Sequence, residues 1–168
     1  SQDKTKEKIE YYSKKHSNIK HINIKKNIGF GYGVFEGLKK CSGHIIGYTH
    51  ADLQTDPNDF IKAVDWINKQ SINNLYFVKG SRHSRRFLDS FFTRSMSVFI
   101  SIIFGSHLYD IGAQPVVFNK TLLDKCFIFP NNFPIEIFLY YLAKKNGYQI
   151  HRFNVNFPKR IYGLGNND

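Results

Sequence analysis

Apolar and polar residues follow two distinct rhythms along this chain. Short apolar runs predict strands, whereas longer segments with apolar residues every three or four positions predict helices. The predicted strands lie at residues 19–24, 44–49, 74–79, 116–118 and 148–154. The predicted helices lie at residues 4–16, from the end of the glycine-rich stretch 27–33 to about residue 40, from residue 57 onward, and at residues 88–104 and 134–145. This alternation predicts a three-layer α/β domain with a mostly parallel sheet.

The helix that follows Asp56 is the most clearly marked. Asp56 is a favourable N-cap residue, and Pro57 suits the first helical position. Phe60, Val64 and Ile67 then line one helical face. We therefore assign Asp56 to helix capping and not to a functional site.

Length and charge limit the classes of function that fit this chain. The chain has 168 residues, enough for one domain with a substantial core, and 24 Lys and Arg against 13 Asp and Glu give a net charge of +11. This excess predicts an anionic partner: a nucleotide, a lipid phosphate, a phospholipid surface or nucleic acid. Cys41 and Cys126 lie far apart without metal-ligand spacing, which indicates buried thiols in a reducing, cytoplasmic compartment.

The acidic segment at residues 50–57 is the first candidate site. His50, Asp52 and Gln54 alternate directly after the strand at residues 44–49. Ligands on such an extended segment suit Mg²⁺ or Mn²⁺, which keep their other positions for water and substrate phosphate. The alternative is that Asp52 simply lies in solvent, and we favour the metal.

Two further segments are candidates for binding phosphate. The glycine-rich stretch 27–33 precedes a helix, so its amides suit an anion, although such a stretch is more often a flexible turn. The basic segment 79–86 follows a strand, and Arg82 is its best phosphate ligand because it lies nearest to the strand end. The alternative for this segment is a solvated loop.

The long helix at residues 88–104 is apolar around most of its circumference, which is typical of a buried or membrane-surface helix. A polar stripe crosses it, formed by Ser90, Arg94, Ser97 and Ser101. The serines can simply bond to carbonyls of their own helix, but a buried arginine needs a partner.

Asp110 and Glu136 are the remaining acids of interest. Asp110 lies in a polar island between apolar segments, where it can act as a general base or cap a turn. Glu136 follows Pro134 and is either a first-turn helix acid or a residue that reaches the site.

In their order and spacing, these motifs resemble those of the family 2 glycosyltransferases, and within that family the polyprenyl-phosphate (dolichol-phosphate mannose or glucose synthase-like) branch. The matching segments lie at residues 27–33, 50–57, 80–82, 110–115, 136 and 160–163. The resemblance extends over residues 1–168 and implies a GT-A nucleotide-sugar-binding catalytic domain. It also implies that a first strand is missing before Ser1, so that this stretch alone is expected to be unstable. His50 stands where the family motif has an aspartate.

The resemblance further implies inverting transfer of a sugar from a nucleoside-diphosphate sugar to a polyprenyl phosphate or a glycan, in cell-envelope glycan synthesis. The implied ligands of Mg²⁺ or Mn²⁺ are Asp52, His50 and Gln54. The implied donor-binding residues are Asn27, Gly29, Gly31, Asp52 and Arg160. The implied acceptor-phosphate ligands are Arg82 and Arg94, and a hydroxyl acceptor would take Asp110 or Glu136 as its base.

Two other interpretations stay open. A basic nucleic-acid-binding module fits the charge and the 16 Phe and 10 Tyr residues, although the basic residues are dispersed. A nonenzymatic remnant of the glycosyltransferase fold fits His50 and the missing strand. The expected partners are a nucleotide-sugar donor, a lipid-phosphate or glycan acceptor and the cytoplasmic membrane face, with no nucleic acid.

Overall fold

A computed structural model describes residues 4–52, 54–71, 75–83, 87–126 and 134–158, and of residues 83 and 87–94 the backbone alone. The strands are β1 (Ile45–Tyr48), β2 (Tyr76–His83), β3 (Val116–Asn119) and β4 (Gln149–Asn156). The helices are α1 (Thr5–Lys15), α2 (Phe30–Lys40), α3 (Pro57–Asn68), α4 (Phe87–Phe104), α5 (Thr121–Asp124) and α6 (Ile135–Lys145). The predicted α/β class is confirmed. Helix α5, which is four residues long, was not predicted because it is too short to show a helical period.

The four strands form one open sheet in the order β1-β3-β2-β4. β2 and β4 are parallel, and β3 runs antiparallel to both of its neighbours, β1 and β2. Three of the four strands therefore point the same way, as a mostly parallel sheet requires, and they end at one common edge. β3 starts at that same edge, so the segment between α4 and β3 also lies there. We call this edge the carboxyl edge.

Helices cover both faces of the sheet, as predicted for three layers. On one face, Phe77 and Phe118 stack on each other and pack with the buried side chains of α6, including Tyr140. On the other face, Val78 and Val117 pack against α3. This alternation is the two-residue period of a strand that is buried on both sides.

Helix α3 confirms the capping assignment. The Asp56 carboxylate accepts a hydrogen bond of 2.9 Å from the Asn58 amide, and Pro57 occupies the first turn. Ile67 is buried on the helical face that was predicted, with Phe60 and Val64 packed beside it. Asp56 is thus fully explained by local helix chemistry.

The strand predicted at residues 19–24 is wrong, because no strand is assigned there. A strand needs a backbone partner. A cavity of about 630 Å³, lined by Ile22 and Ile24 on one side and by Ile46 and Gly47 on the other, separates this segment from β1. Its apolar residues are therefore close to the sheet without being hydrogen-bonded to it.

Gly80, in β2, lies so close to the segment before β3 that a Cβ would overlap the carbonyl of Gln114. We expect Gly80→Ala to lower the free energy of unfolding by about 1–3 kcal/mol, because backbone must move to relieve the overlap. Gly37→Ala is the matched control, since a Cβ there meets nothing within 4 Å. Chemical denaturation of both variants measures the effect, and equal stability of the two would contradict it.

Candidate active site

Asp110 lies at the carboxyl edge, in the segment that joins α4 to β3. Its side chain is buried, and its backbone has a φ of 44°, in the left-handed region that non-glycine residues seldom adopt. Its amide donates a hydrogen bond of 3.2 Å to the hydroxyl of the buried Ser97 on α4. One turn further along, the Ser101 hydroxyl accepts a 2.8 Å bond from the Leu108 amide.

These bonds decide between the two interpretations of the polar stripe on α4. Ser101 does donate to a carbonyl of its own helix, that of Ser97, at 2.6 Å. Both hydroxyls nevertheless also hold the segment that carries Asp110. Ser97 and Ser101, the two members of the stripe whose side chains are described, therefore help to fix the Asp110 backbone.

The Asp110 carboxylate is paired with Arg82. One oxygen accepts from the Arg82 backbone amide at 2.9 Å, and the other accepts from Nε at 2.9 Å and from the terminal nitrogen Nη2. Burial by itself would raise the pKa of Asp110, but the hydrogen bonds and charge of Arg82 outweigh burial, and the pKa is lowered. Two residues predicted as separate site elements thus form one ion pair, in which Asp110 is ionised at neutral pH.

Arg152, on β4, is a further member of the site that the sequence did not single out. Its guanidinium donates a 2.9 Å bond to the carbonyl of Tyr109, lies 4.9 Å from the centre of the Tyr109 ring, and approaches the Asp110 carboxylate at 3.6 Å. Within the described residues, its buried Nε has no hydrogen-bond partner. Little in the sequence indicates it, because polar and apolar residues alternate in β4 and an arginine is not unusual there.

Lys79, on β2, is the second residue that was missed. Its side chain is only 1% exposed, and Nζ donates 2.8 Å bonds to the carbonyls of both Asp110 and Ile111. Burial, and then the positive charges of Arg152 and Arg82, lower the pKa of Lys79 to about 7. Unlike Arg152, it directly follows an apolar run, Tyr76 to Val78, where a buried cation is unusual.

Glu136 opens α6 and is half-buried. It lies within electrostatic reach of Tyr48 at the end of β1, because burial first and the Glu136 charge second raise the pKa of that tyrosine well above its ordinary value. Within the part of the chain that is described, the buried Tyr48 hydroxyl has no hydrogen-bond partner. Glu136 is therefore a first-turn acid whose charge also acts on Tyr48 and Lys79.

The segment predicted to hold a metal joins the site through Phe157. The centre of the His50 ring lies 5.8 Å from the centre of the Phe157 ring. The Arg82 guanidinium lies 5.6 Å from the centre of the same Phe157 ring. The Asp52 carboxylate accepts a 3.2 Å bond from the Gln54 amide, which turns the segment back toward α3. His50 and Arg82, which are more than thirty positions apart in the chain, are thus neighbours of one ring.

The side chains of this segment decide how a divalent metal could be held here. Among the described residues, no group of three His, Cys, Asp or Glu side chains is placed to hold a metal ion. Asp52 and His50 instead offer one carboxylate and one imidazole, which suits an ion that takes its other ligands from diphosphate and water. The residues fit a metal carried by the substrate and do not form a cage for one.

The glycine-rich turn stands apart from this cluster. The Asn27 side chain accepts a 3.0 Å bond from the Gly29 amide, and Gly29 has a φ of 117°, which favours glycine. Helix α2 begins at Phe30, so the prediction that it starts after residue 33 is wrong, and Gly31 lies in the first turn. The helix starts early because Gly29, in its left-handed conformation, already turns the chain into it.

Two predicted phosphate ligands cannot be placed. The backbone of Arg94 lies in α4, one turn before Ser97, but its side chain is not among those described. Arg160 lies outside the described residues. Both stay predictions.

In open α/β sheets ligands bind outside the carboxyl ends of the strands, which is where these charged side chains lie. The chain belongs to glycosyl transferase family 2, whose family model matches residues 1–120. No curated protein matches it. The predicted family is confirmed, and with it glycosyl transfer between a nucleotide-sugar donor and an acceptor. The match includes Arg82 and Asp110, whereas Glu136 and Arg152 lie beyond it.

Proposed function

We propose that this glycosyltransferase transfers a sugar from a nucleoside-diphosphate sugar to a polyprenyl phosphate, with inversion at the anomeric carbon. The observation that carries this proposal is the juxtaposition of a cationic cluster and an apolar cavity. Tyr109, which touches Arg152, also lines a cavity of about 510 Å³. Most of the rest of its wall comes from α4 and the turn that follows it, with Val98 and Ile102 as its apolar side chains. A phosphate head beside a hydrocarbon tail matches this arrangement.

Charge supports an anionic acceptor. Arg82, Arg152 and the partly protonated Lys79 surround the carboxylate of Asp110, and Glu136 is a second described acid whose charge acts on Lys79. The cluster therefore has an excess of positive charge, which a phosphate would neutralise. Guanidinium groups are suited to this role because they donate paired hydrogen bonds to phosphate oxygens.

The chemistry of such an acceptor needs no general base. A phosphate oxygen is already an anion, so it forms its bond to the anomeric carbon while the bond from that carbon to the donor diphosphate breaks, and the diphosphate leaves with the electron pair. Asp110 is a weak base here, since its pKa is lowered and it is committed to Arg82. In this proposal Asp110 orients the arginine, whereas a sugar-hydroxyl acceptor would need Glu136 as base.

We assign binding of the nucleotide-sugar donor to two segments, one after the end of β1 and the other at the start of α2. Asn27, Gly29 and Gly31 precede or open a helix whose N-terminus favours negative charge, and we add Arg160 as a further diphosphate ligand. Asp52, with His50 and Gln54, would hold Mg²⁺ or Mn²⁺. When bound, the metal supplies neutralisation of the leaving diphosphate.

A panel assay tests the proposal directly. The full chain is incubated with UDP-glucose or GDP-mannose and with farnesyl phosphate, farnesol or a disaccharide as acceptor. Transfer to farnesyl phosphate alone is the expected result. Transfer to the disaccharide alone would mean that the acceptor is a glycan and not a lipid phosphate. If neither transfer nor hydrolysis of the donor is detected with any donor, the chain is better explained as a nonenzymatic remnant of the fold.

Arg82→Ala should weaken acceptor use more than donor binding. A charged hydrogen bond contributes about 1.5–3 kcal/mol, so the KM for farnesyl phosphate should rise about tenfold or more, with little change in the Kd of the nucleotide. Steady-state kinetics and calorimetry measure the two quantities separately. An unchanged KM for farnesyl phosphate would remove Arg82 from the acceptor site.

Part of α4 presents a contiguous apolar surface to solvent, and we propose that it rests on the membrane that holds the acceptor. The exposed side chains are Met96, Val98, Phe99, Ile102 and Ile103. In the described part of the chain, no helix is long and apolar enough to cross a membrane. A surface contact therefore matches the helix better than insertion across the bilayer.

Ile102→Glu should reduce binding to vesicles of phosphatidylglycerol and phosphatidylethanolamine by about tenfold, because an exposed apolar side chain that contacts the lipid would be replaced by a charge. Ile61→Glu is the matched control, since Ile61 is also exposed but lies on α3, across the sheet. Vesicle sedimentation compares the two. Equal losses in both variants would contradict a contact through α4.

A further inference from the structure

Lys79 is held in an unusual way for a lysine. It lies on the sheet face that packs against α6, its ammonium is 4.7 Å from the centre of the Tyr140 ring, and both of its hydrogen bonds go to consecutive backbone carbonyls, those of Asp110 and Ile111. A buried ammonium is costly unless it is well bonded. Here its bonds go to the chain segment that carries the Asp110 carboxylate.

The backbone at Asp110 needs such support. Its φ of 44° is unfavourable for a residue with a side chain. The amide is held by Ser97, the carbonyl by Lys79 and the carboxylate by Arg82. The Asp110 carbonyl also accepts a 3.1 Å bond from the Ala113 amide, and Lys79 is the side chain that holds this carbonyl together with the next one, that of Ile111.

We propose that Lys79 is a positioning residue, which fixes the backbone of Asp110 and Ile111 so that Asp110 keeps Arg82 and Arg152 aimed at the anionic substrate. The claim that the two arginines face a substrate rests on the proposed function. The claim that Lys79 holds the backbone does not. Lys79 touches no reacting atom in this scheme. It acts through Asp110.

The surroundings of Lys79 make this hold dependent on protonation. Arg82 on its own strand and Arg152 on β4 oppose its charge, whereas Asp110 and Glu136 favour it, and the Tyr140 ring covers it. With a pKa of about 7, the ammonium gives way to a neutral amine as the pH rises above neutrality, and its two remaining N–H groups form weaker bonds because the charge is lost. A phosphate bound at the arginines would offset their charge, so anion binding and proton uptake at Lys79 should promote each other.

Hydrogen exchange without any ligand tests the hold on the backbone. In Lys79→Met the amides of Asp110 and Ala113, the latter bonded to the Asp110 carbonyl, should exchange about tenfold faster, as expected for local opening. Lys144→Met is the matched control, because Lys144 also donates to a backbone carbonyl, that of His107. It should leave both amides unchanged.

The unsubstituted protein provides a second measurement should Lys79→Met fold poorly. Exchange at Asp110 and Ala113, corrected for the intrinsic effect of hydroxide, should quicken several-fold between about pH 6 and about pH 8.5 as Lys79 loses its proton. Val117, in the centre of the sheet, should show no such change. If Lys79 did not hold this segment, the corrected exchange rates of both amides would not change with pH. Unchanged exchange in both experiments overturns the proposal.

Titration with farnesyl phosphate tests the link to substrate. Calorimetry at about pH 7.5, in buffers of different ionisation enthalpy, should show uptake of a fraction of a proton, and this uptake should disappear in Lys79→Met. Uptake that persists in Lys79→Met overturns the coupling. Failure of the unsubstituted protein to bind farnesyl phosphate counts against the proposed function, while the exchange data still decide whether Lys79 holds the backbone.

Discussion

Asp110→Asn should remove nearly all transfer activity and also destabilise the fold. The asparagine keeps the shape but not the charge, so Arg82, Arg152 and Lys79 lose their shared counter-charge. Removing one partner of a buried ion pair costs about 3–5 kcal/mol. Since the Arg82 side chain keeps 12% of its surface exposed, we expect the lower end of that range, about 3 kcal/mol. Activity should fall by about a hundredfold or more, because the arginines would no longer be held in place.

The matched control for this variant is Asp59→Asn. Asp59 is also buried and paired at 2.8 Å, but its partner Lys62 leaves 66% of its side-chain surface exposed. The cost should therefore stay below about 1 kcal/mol, and activity should not change. Urea denaturation and the transfer assay are compared for both variants. Equal destabilisation by the two would mean that the Asp110 pair is no stronger than a surface one.

The pH dependence of the Asp110 contribution has a definite sign. Because the folded pKa is lowered, the stabilisation is complete above the ordinary aspartate pKa and is lost as the pH falls through the folded value. The difference in unfolding free energy between the unsubstituted protein and Asp110→Asn should therefore shrink in acid. A difference that stays constant on acidification would show that the variant acts through packing and not through charge.

Periodicity predicted most of the helices and strands, and most clearly α3, which buries one face and whose start is marked by Asp56 and Pro57. The failure at residues 19–24 has a different cause. An apolar, β-branched segment carries the propensity for a strand, but whether it becomes one depends on a partner elsewhere in the chain. No local pattern contains that information.

The site was predicted in its parts but not in its connections. Arg82 and Asp110 were both candidates, one as a phosphate ligand and the other as a base, yet they are 28 residues apart and nothing local indicates that they pair. Lys79 and Arg152 were passed over because each lies within a strand, where a single charge is easily taken for an outward-facing residue. Their register, which places the two opposite each other on β2 and β4, is a property of the folded sheet.

The loop after β1 provides the second large expected effect. In Asp52→Ala, stimulation by Mn²⁺ of the binding of UDP or GDP should disappear, because Asp52 is the carboxylate that we assign to the metal. A charged ligand of this kind contributes at least about 1.5–3 kcal/mol, so the Kd measured with Mn²⁺ should rise about tenfold or more, to the value without metal. The Asp52 carboxylate also accepts a 3.2 Å bond from the Gln54 amide, so thermal unfolding of the variant is measured beside binding.

Asp56→Ala, four positions along the same loop, separates this effect from a general disturbance of the segment. Asp56 caps α3 through the Asn58 amide, so its loss should cost about 1 kcal/mol of stability while metal-stimulated binding persists. The two variants should thus differ in calorimetry, where metal stimulation is lost in Asp52→Ala and kept in Asp56→Ala. Retention of metal stimulation in Asp52→Ala would show that the metal, if the enzyme uses one, is held elsewhere. Loss of stimulation in both variants would instead mean that the loop conformation, and not the Asp52 carboxylate, governs binding of the nucleotide.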